Sequence, residues 1–181
     1  MPELGEDLYE AAPILLSPVD PAVSPLAEAI LSTRQAFNSA AAWPAANRAI
    51  LPPVVLQRPV TATQIAWYNG ATVAGNVSVG IYDQRRKQLV EARAAMSGAS
   101  TVQVIDIADT LLMPGRYWPA MASDSGTATF FRATLNSFVQ TLCGLRNIST
   151  AYPLPVSAFT LQDSQSSYCP FFVVLCRGAV I

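Results

Sequence analysis

The chain changes its hydrophobic rhythm near residue 45. Before that point apolar residues come in short clusters broken by proline, and beyond it they alternate with polar ones in steps of two. "AAPILLSPVDPAVSP" places four prolines within residues 13–25, a density that no regular helix or central strand tolerates. This stretch is expected to run extended. "SPLAEAILSTRQAF", residues 24–37, then reads as one short helix, with Ser24 as N-cap, Pro25 at the first helical position and Leu26, Ala27, Ile30 and Leu31 at helical spacing. "NSAAAWPAANRA" reads as a linker. An apolar arm with no core of its own needs something to lie on. Residues 1–45 are therefore expected to form an attachment arm, with Leu4, Leu8, Ile14, Leu15, Leu16 and Val23 offering apolar contacts to a partner.

From residue 46 to 181 the pattern predicts strands. "NRAILPPVVLQRPV" is apolar but proline-broken, as an edge strand would be. "TATQIAWYNGA" puts Ile65 and Trp67 on one face and Gln64, Ala66 and Tyr68 on the other, then turns at Asn69-Gly70. "NVSVGIYD" alternates most regularly, Val77, Val79 and Ile81 against Ser78, Gly80 and Tyr82. "LVEARAAM", "STVQVIDIADTLL", "RYWPAMASD", "GTATFFRATL" and "PFFVVLCRG" complete the series, with a turn at Pro114-Gly115. Strands at this spacing without intervening helices imply an all-β fold, an antiparallel β-sandwich of about eight strands, closed like a jelly roll. Within "RYWPAMASD", Tyr117 and Trp118 point to opposite faces, and Pro119 signals an edge or bulge. The stretch 133–170 is long for one loop and is expected to hold a short helix or to meander over a sheet face.

Charge sharpens the division. The net charge is −1, yet the first 33 residues carry −6 and the rest +5. An acidic head on a mildly basic body suggests that the two parts meet different surroundings. Only 13% of residues are charged and the mean hydropathy is +0.32, where about 25% charged is usual for a soluble domain. No apolar run approaches the roughly 18–20 residues of a membrane span, and the N-terminus lacks the basic start of a secretory signal. Such a chain is expected to bury surface against copies of itself or against partners.

Candidate chemistry is sparse. There is no histidine, which removes Ser-His-Asp and Cys-His systems and every histidine-containing zinc site. Cys143, Cys169 and Cys176 have no metal-ligand spacing; Cys176 reads as a small buried hydrophobe, and one disulfide among the three stays open. A carboxylate pair among Asp83, Glu91, Asp106, Asp109 and Asp124 is conceivable as a glycosidase site. Turn capping is the simpler account of Asp83 and Asp124. The basic hairpin Arg85-Arg86-Lys87 can meet phosphate or an acidic partner, though a solvated tip that discourages edge pairing is the plainer reading. Three cations are too few for nucleic acid. Tyr68 and Tyr82, with polar neighbours on their faces, are candidates for stacking against a sugar. No catalytic residue, metal or cofactor is expected.

The segments "LQRPVTATQIAW", "VSVGIYD", "LLMPGRYWPAMASD" and "FFVVLCRG" together resemble a β-sandwich module of bacteriophage virion proteins, found in decoration, fibre and minor tail proteins. The likeness rests on Arg58 to Val60, Gly80 to Asp83 and Pro114 to Trp118, and extends over residues 45–135 and the last strand. The chain departs from the pattern in the charged "QRRKQ" hairpin and in Pro119 after the aromatic pair. The resemblance implies a multimeric structural protein, often a trimer, made in the host cytoplasm and held on the virion by its N-terminal part. Its partner would be the major capsid protein or another virion component, most simply for a decoration or cement protein. The alternative is a receptor-binding fibre tip that recognises host glycan.

Overall fold

The computed structural model describes residues 14–16, 39–134, 140–141, 143–156, 162–163 and 168–178. The helix expected over 24–37, and Leu4, Leu8 and Val23 of the arm, lie outside these residues. In chain order the strands are β1 Ile14–Leu16, β2 Ser39–Ala42, β3 Arg48–Leu51, β4 Val54–Leu56, β5 Val60–Tyr68, β6 Asn76–Asp83 and β7 Gln88–Ala95. They continue with β8 Val102–Leu112, β9 Gly115–Ser123, β10 Thr129–Thr134, β11 Arg146–Ile148, β12 Gln162–Asp163, β13 Tyr168–Pro170 and β14 Phe172–Gly178. The described residues thus hold 14 strands, where the turn spacing suggests about eight. The excess comes from short peripheral pairings and from a break at Pro52-Pro53, which divides one apolar stretch into β3 and β4. Gln140, Thr141 and Cys143 have helical backbone, directly before β11. Among the described residues no helix is long and apolar enough to cross a membrane.

All strand pairings are antiparallel. One sheet has the order β1-β14-β5-β8 and a small one β13-β10-β2. The largest has the order β12-β11-β3-β9-β6-β7, with β4 also on β9. Residues from all three sheets meet in one core. Ile65 and Trp67 of β5, Val77, Val79 and Ile81 of β6, Met121 of β9, Phe130 of β10 and Val174 of β14 all belong to it. The alternation read from β5 and β6 is the alternation that fills this core.

The other face of the largest sheet is covered too. Ala49, Leu51, Tyr82, Ala120 and Ala122 form a second cluster under Ile148, Ala151 and Leu154. β6 is therefore buried on both faces from Val77 to Tyr82. Gly80 shows the tightness there: a Cβ on it would stand 2.6 Å from the Val90 carbonyl oxygen. Tyr117 packs toward the first core and Trp118 toward the second, as their opposite directions require.

Pro119 lies within a paired strand, not at an edge. It stands opposite Ile81 of β6, and its other flank falls between the β3 and β4 pairings, which end at Met121 and Tyr117. A residue without an N–H fits where the neighbouring strand is itself interrupted by prolines.

The body also begins before residue 46. β2 pairs along β10, from Ser39 opposite Arg132 to Ala42 opposite Thr129. Trp43 is 2% exposed, donates from Nε1 to the Arg48 carbonyl at 2.8 Å, and meets the rings of Phe130 and Tyr168 edge-on at 5.2 and 5.5 Å. Residues 39–45, assigned to the arm on the sequence, carry core contacts.

Candidate functional site

Two turns meet at one end of the molecule because β6 and β9 are neighbours, with Asp83 opposite Tyr117. The first is the hairpin after β6. One carboxylate oxygen of Asp83 accepts from the backbone N–H groups of Arg85 and Lys87 at 2.8 and 2.9 Å, and the Arg86 N–H donates to the Asp83 carbonyl at 2.9 Å. This is the turn capping expected of aspartate. The second turn, Met113 to Gly115, links β8 and β9. The Tyr117 hydroxyl donates back to the Met113 carbonyl at 2.9 Å, and Gly115 holds a φ of 154° that side chains rarely adopt.

Between the turns lies an open cleft of about 260 Å³, walled by Asp83, Gln84 and Arg85 on one side and by Pro114, Arg116 and Tyr117 on the other. Its electrostatics are mainly cationic. Asp83 already satisfies two backbone donors. The guanidiniums of Arg85 and Arg116 have no carboxylate or hydrogen-bond acceptor among the described residues; that of Arg116 rests over the Trp118 ring, 5.5 Å from its centroid. Partial burial, with the Asp83 charge as a lesser contribution, holds the Tyr117 phenol above its ordinary range. The arrangement can hold an anion; nothing in it activates a nucleophile.

The remaining acidic candidates are engaged elsewhere. Glu91 accepts from Arg93 at 2.5 Å and from the buried Ser78 hydroxyl at 2.7 Å. Asp106 takes the Gln64 amide at 2.6 Å, and Asp109 pairs with Arg177. Asp124 accepts from the backbone and side-chain N–H groups of Asn76, at 2.6 and 2.7 Å, so it caps the start of β6 and not its own turn. Among the described residues no three of Asp, Glu and Cys gather as metal ligands would.

The two tyrosines singled out as sugar platforms go separate ways. Tyr82 is fully buried and donates to the Pro155 carbonyl at 2.8 Å, so it presents no face to a ligand. Its polar neighbours Ser78 and Gly80 suggested a solvated face, but the segment around Leu154 covers that face. Burial raises the phenol far above its usual range. Tyr68 is half-buried, packed edge-on against Phe131 at 4.4 Å, with its hydroxyl on the Ser100 carbonyl at 2.8 Å. The structure does not bring the pair together.

Comparison with protein-family models, with curated proteins and with solved structures finds no match to this chain.

Of the arm residues, Ile14, Leu15 and Leu16 form β1, laid along β14 of the same chain opposite Cys176, Leu175 and Val174. None of the three cysteines is in a disulfide. Burial pushes Cys169 and Cys176 up to about 12 and raises Cys143 as well.

Sequence reasoning missed a polar hub at Asn69, noted only as a turn residue. Asn69 is fully buried; its side-chain oxygen accepts from the Trp67 indole N–H at 2.8 Å. Its amide donates to the Ser97 carbonyl at 2.7 Å, the Gly98 carbonyl at 3.1 Å and the Gln103 side chain at 3.1 Å. The signal was a tryptophan two residues before an Asn-Gly turn, whose indole N–H needs an acceptor once the ring is buried.

Proposed function

We propose that this chain is a non-enzymatic bacteriophage virion protein, a capsid decoration or cement protein or a related head or tail accessory. In this reading it attaches through its N-terminal arm and forms homo-oligomers, as trimers, through a jelly-roll sandwich built from its two larger sheets. The observation that carries the proposal is the acidic, proline-broken segment that precedes an antiparallel β body. Ile14 to Leu16 pair with β14 of the same chain, so in this reading the rest of the arm, Leu4, Leu8 and Val23, makes the attachment.

Two features of the body support the same reading. β8 is an 11-residue edge strand whose Val102, Val104 and Leu111 are 58, 50 and 59% exposed, apolar surface of the kind that subunit contacts cover. The carboxylates that a hydrolase would use are tied into turns and ion pairs. Many weakly held copies on one particle would add up to firm attachment.

Cosedimentation with particles of the phage that encodes the chain tests this. The chain is expected to pellet with particles, and Leu4→Asp/Leu8→Asp to remain in the supernatant with an unchanged melting temperature. A chain that never pellets, or a variant that pellets equally, overturns the proposal.

A further inference from the structure

The exposed apolar side chains of the body concentrate on one strand. Among the described residues six large hydrophobic side chains are exposed, and four of them lie on β8 or directly after it: Val102, Val104, Leu111 and Met113, at 58, 50, 59 and 53%. β8 is an edge, with β5 along one side and no paired strand along the other among the described residues. β7 meets it from the inner side, where the Gln103 side chain donates to the Ala95 carbonyl at 2.8 Å and accepts from the Ser97 N–H at 3.0 Å. β8 carries no lysine, arginine or proline, the usual guards of an open edge.

The outward positions of β8 form a palindrome. Val102, Val104 and Asp106 are exposed and stand opposite Tyr68, Ala66 and Gln64 of β5. A bulge then sets Ile107, Ala108 and Asp109 against Thr63 alone. Asp109 is exposed and paired with Arg177, Leu111 is exposed opposite Thr61, and the exposed Met113 follows the strand. Turning the strand end for end about the midpoint between Ile107 and Ala108 places Val102 on Met113, Val104 on Leu111 and Asp106 on Asp109. A surface that maps onto itself under a half-turn is what a two-fold contact between identical chains requires. We infer that the partner of this edge is β8 of a second copy, laid antiparallel so that the four-stranded sheet β1-β14-β5-β8 continues into its mate. The apolar ends then cover each other. Each Asp106 arrives beside the Asp109–Arg177 pair of the other copy, where one guanidinium serves two carboxylates. The two-fold contact stands apart from the virion reading, whose threefold contacts would use other surfaces.

Sedimentation of the full-length chain at micromolar concentrations is expected to show a dimer. Leu111→Asp changes an exposed side chain, so the monomer keeps its fold, but in the dimer it buries two unpaired carboxylates and should weaken association about a hundredfold or more. Arg177→Ala leaves four carboxylates together at the centre and should weaken it as well. A disulfide trap reads the register. Residues directly opposite in an antiparallel pair have Cβ atoms about 4.5–5.5 Å apart, whereas positions 104 and 111 of one strand are separated by roughly 20 Å or more. Val104→Cys/Leu111→Cys treated with oxidised glutathione, which takes up the two electrons as reduced glutathione, should give covalent dimers joined from position 104 to position 111. Val104→Cys alone should give no link at 104. Peptide mass spectrometry identifies the joined positions. A chain that stays monomeric, an oligomer indifferent to Leu111→Asp, or a trap that closes only between other positions overturns the inference.

Discussion

Trp43 gives the sharpest test of where the folded body begins. If residues 39–45 belonged to an arm, Trp43→Ala would leave stability unchanged. In the structure the ring is 2% exposed, sits edge-on to Phe130 and Tyr168, and its N–H holds the Arg48 carbonyl at 2.8 Å. Removing a buried tryptophan ring costs about 3–5 kcal/mol through lost transfer energy and the cavity left behind. For a chain of this length each kcal/mol moves the melting temperature by about 2–4 °C, so a fall of about 6–20 °C is expected. Trp43→Phe keeps most of the ring and loses the hydrogen bond, and should fall between wild type and Trp43→Ala. Urea denaturation, with the slope against denaturant compared across the three proteins, measures both steps. A Trp43→Ala loss under about 0.5 kcal/mol, the range of ordinary surface substitutions, would refute the placement of Trp43 in the core.

Two further outcomes follow from buried polar groups. Asn69→Ala strands the Trp67 indole N–H and should cost about 1–3 kcal/mol in the same denaturation assay, whereas a neutral effect would mean that water replaces the amide. Cys169 and Cys176 should resist a thiol reagent in the native protein at neutral pH, with Cys143 reacting first, and all three should react in denaturant. Their folded-state pKa values lie above those of free thiols, so the neutral form is the one that folding favours. Their stabilising contribution is whole below about 9, where an unfolded thiol ionises, and is lost as the pH rises toward about 12. Stability that held constant across that window would contradict the burial of these thiols.

The strands of the body were legible because their burial follows local alternation. Ile65 and Trp67, and Val77, Val79 and Ile81, face the core as their period of two requires. Tyr82 was misread for a non-local reason. Nothing near it announces that Leu154, more than seventy residues away, will cover its face. Trp43 was hidden by its surroundings, since "SAAAWPAAN" has too few bulky residues to show a period, and the strand just before it, β2, is defined by pairing to β10. Pro119 was read by a sound rule, but the interruption that accommodates it belongs to the neighbouring strand at Pro52-Pro53. The cleft was written in the sequence as two separate turns, and only the β6–β9 pairing joins them.

The central claim is the proposal that this chain attaches to a phage particle, and the most direct measurement is electron-microscopic imaging of phage particles purified from cells that make the chain. The account predicts the β body in multiple copies on the particle, each joined to it by density from the segment that precedes residue 39. Virions that lack the chain, or copies held by the body with the N-terminal segment turned away from the particle, would contradict it.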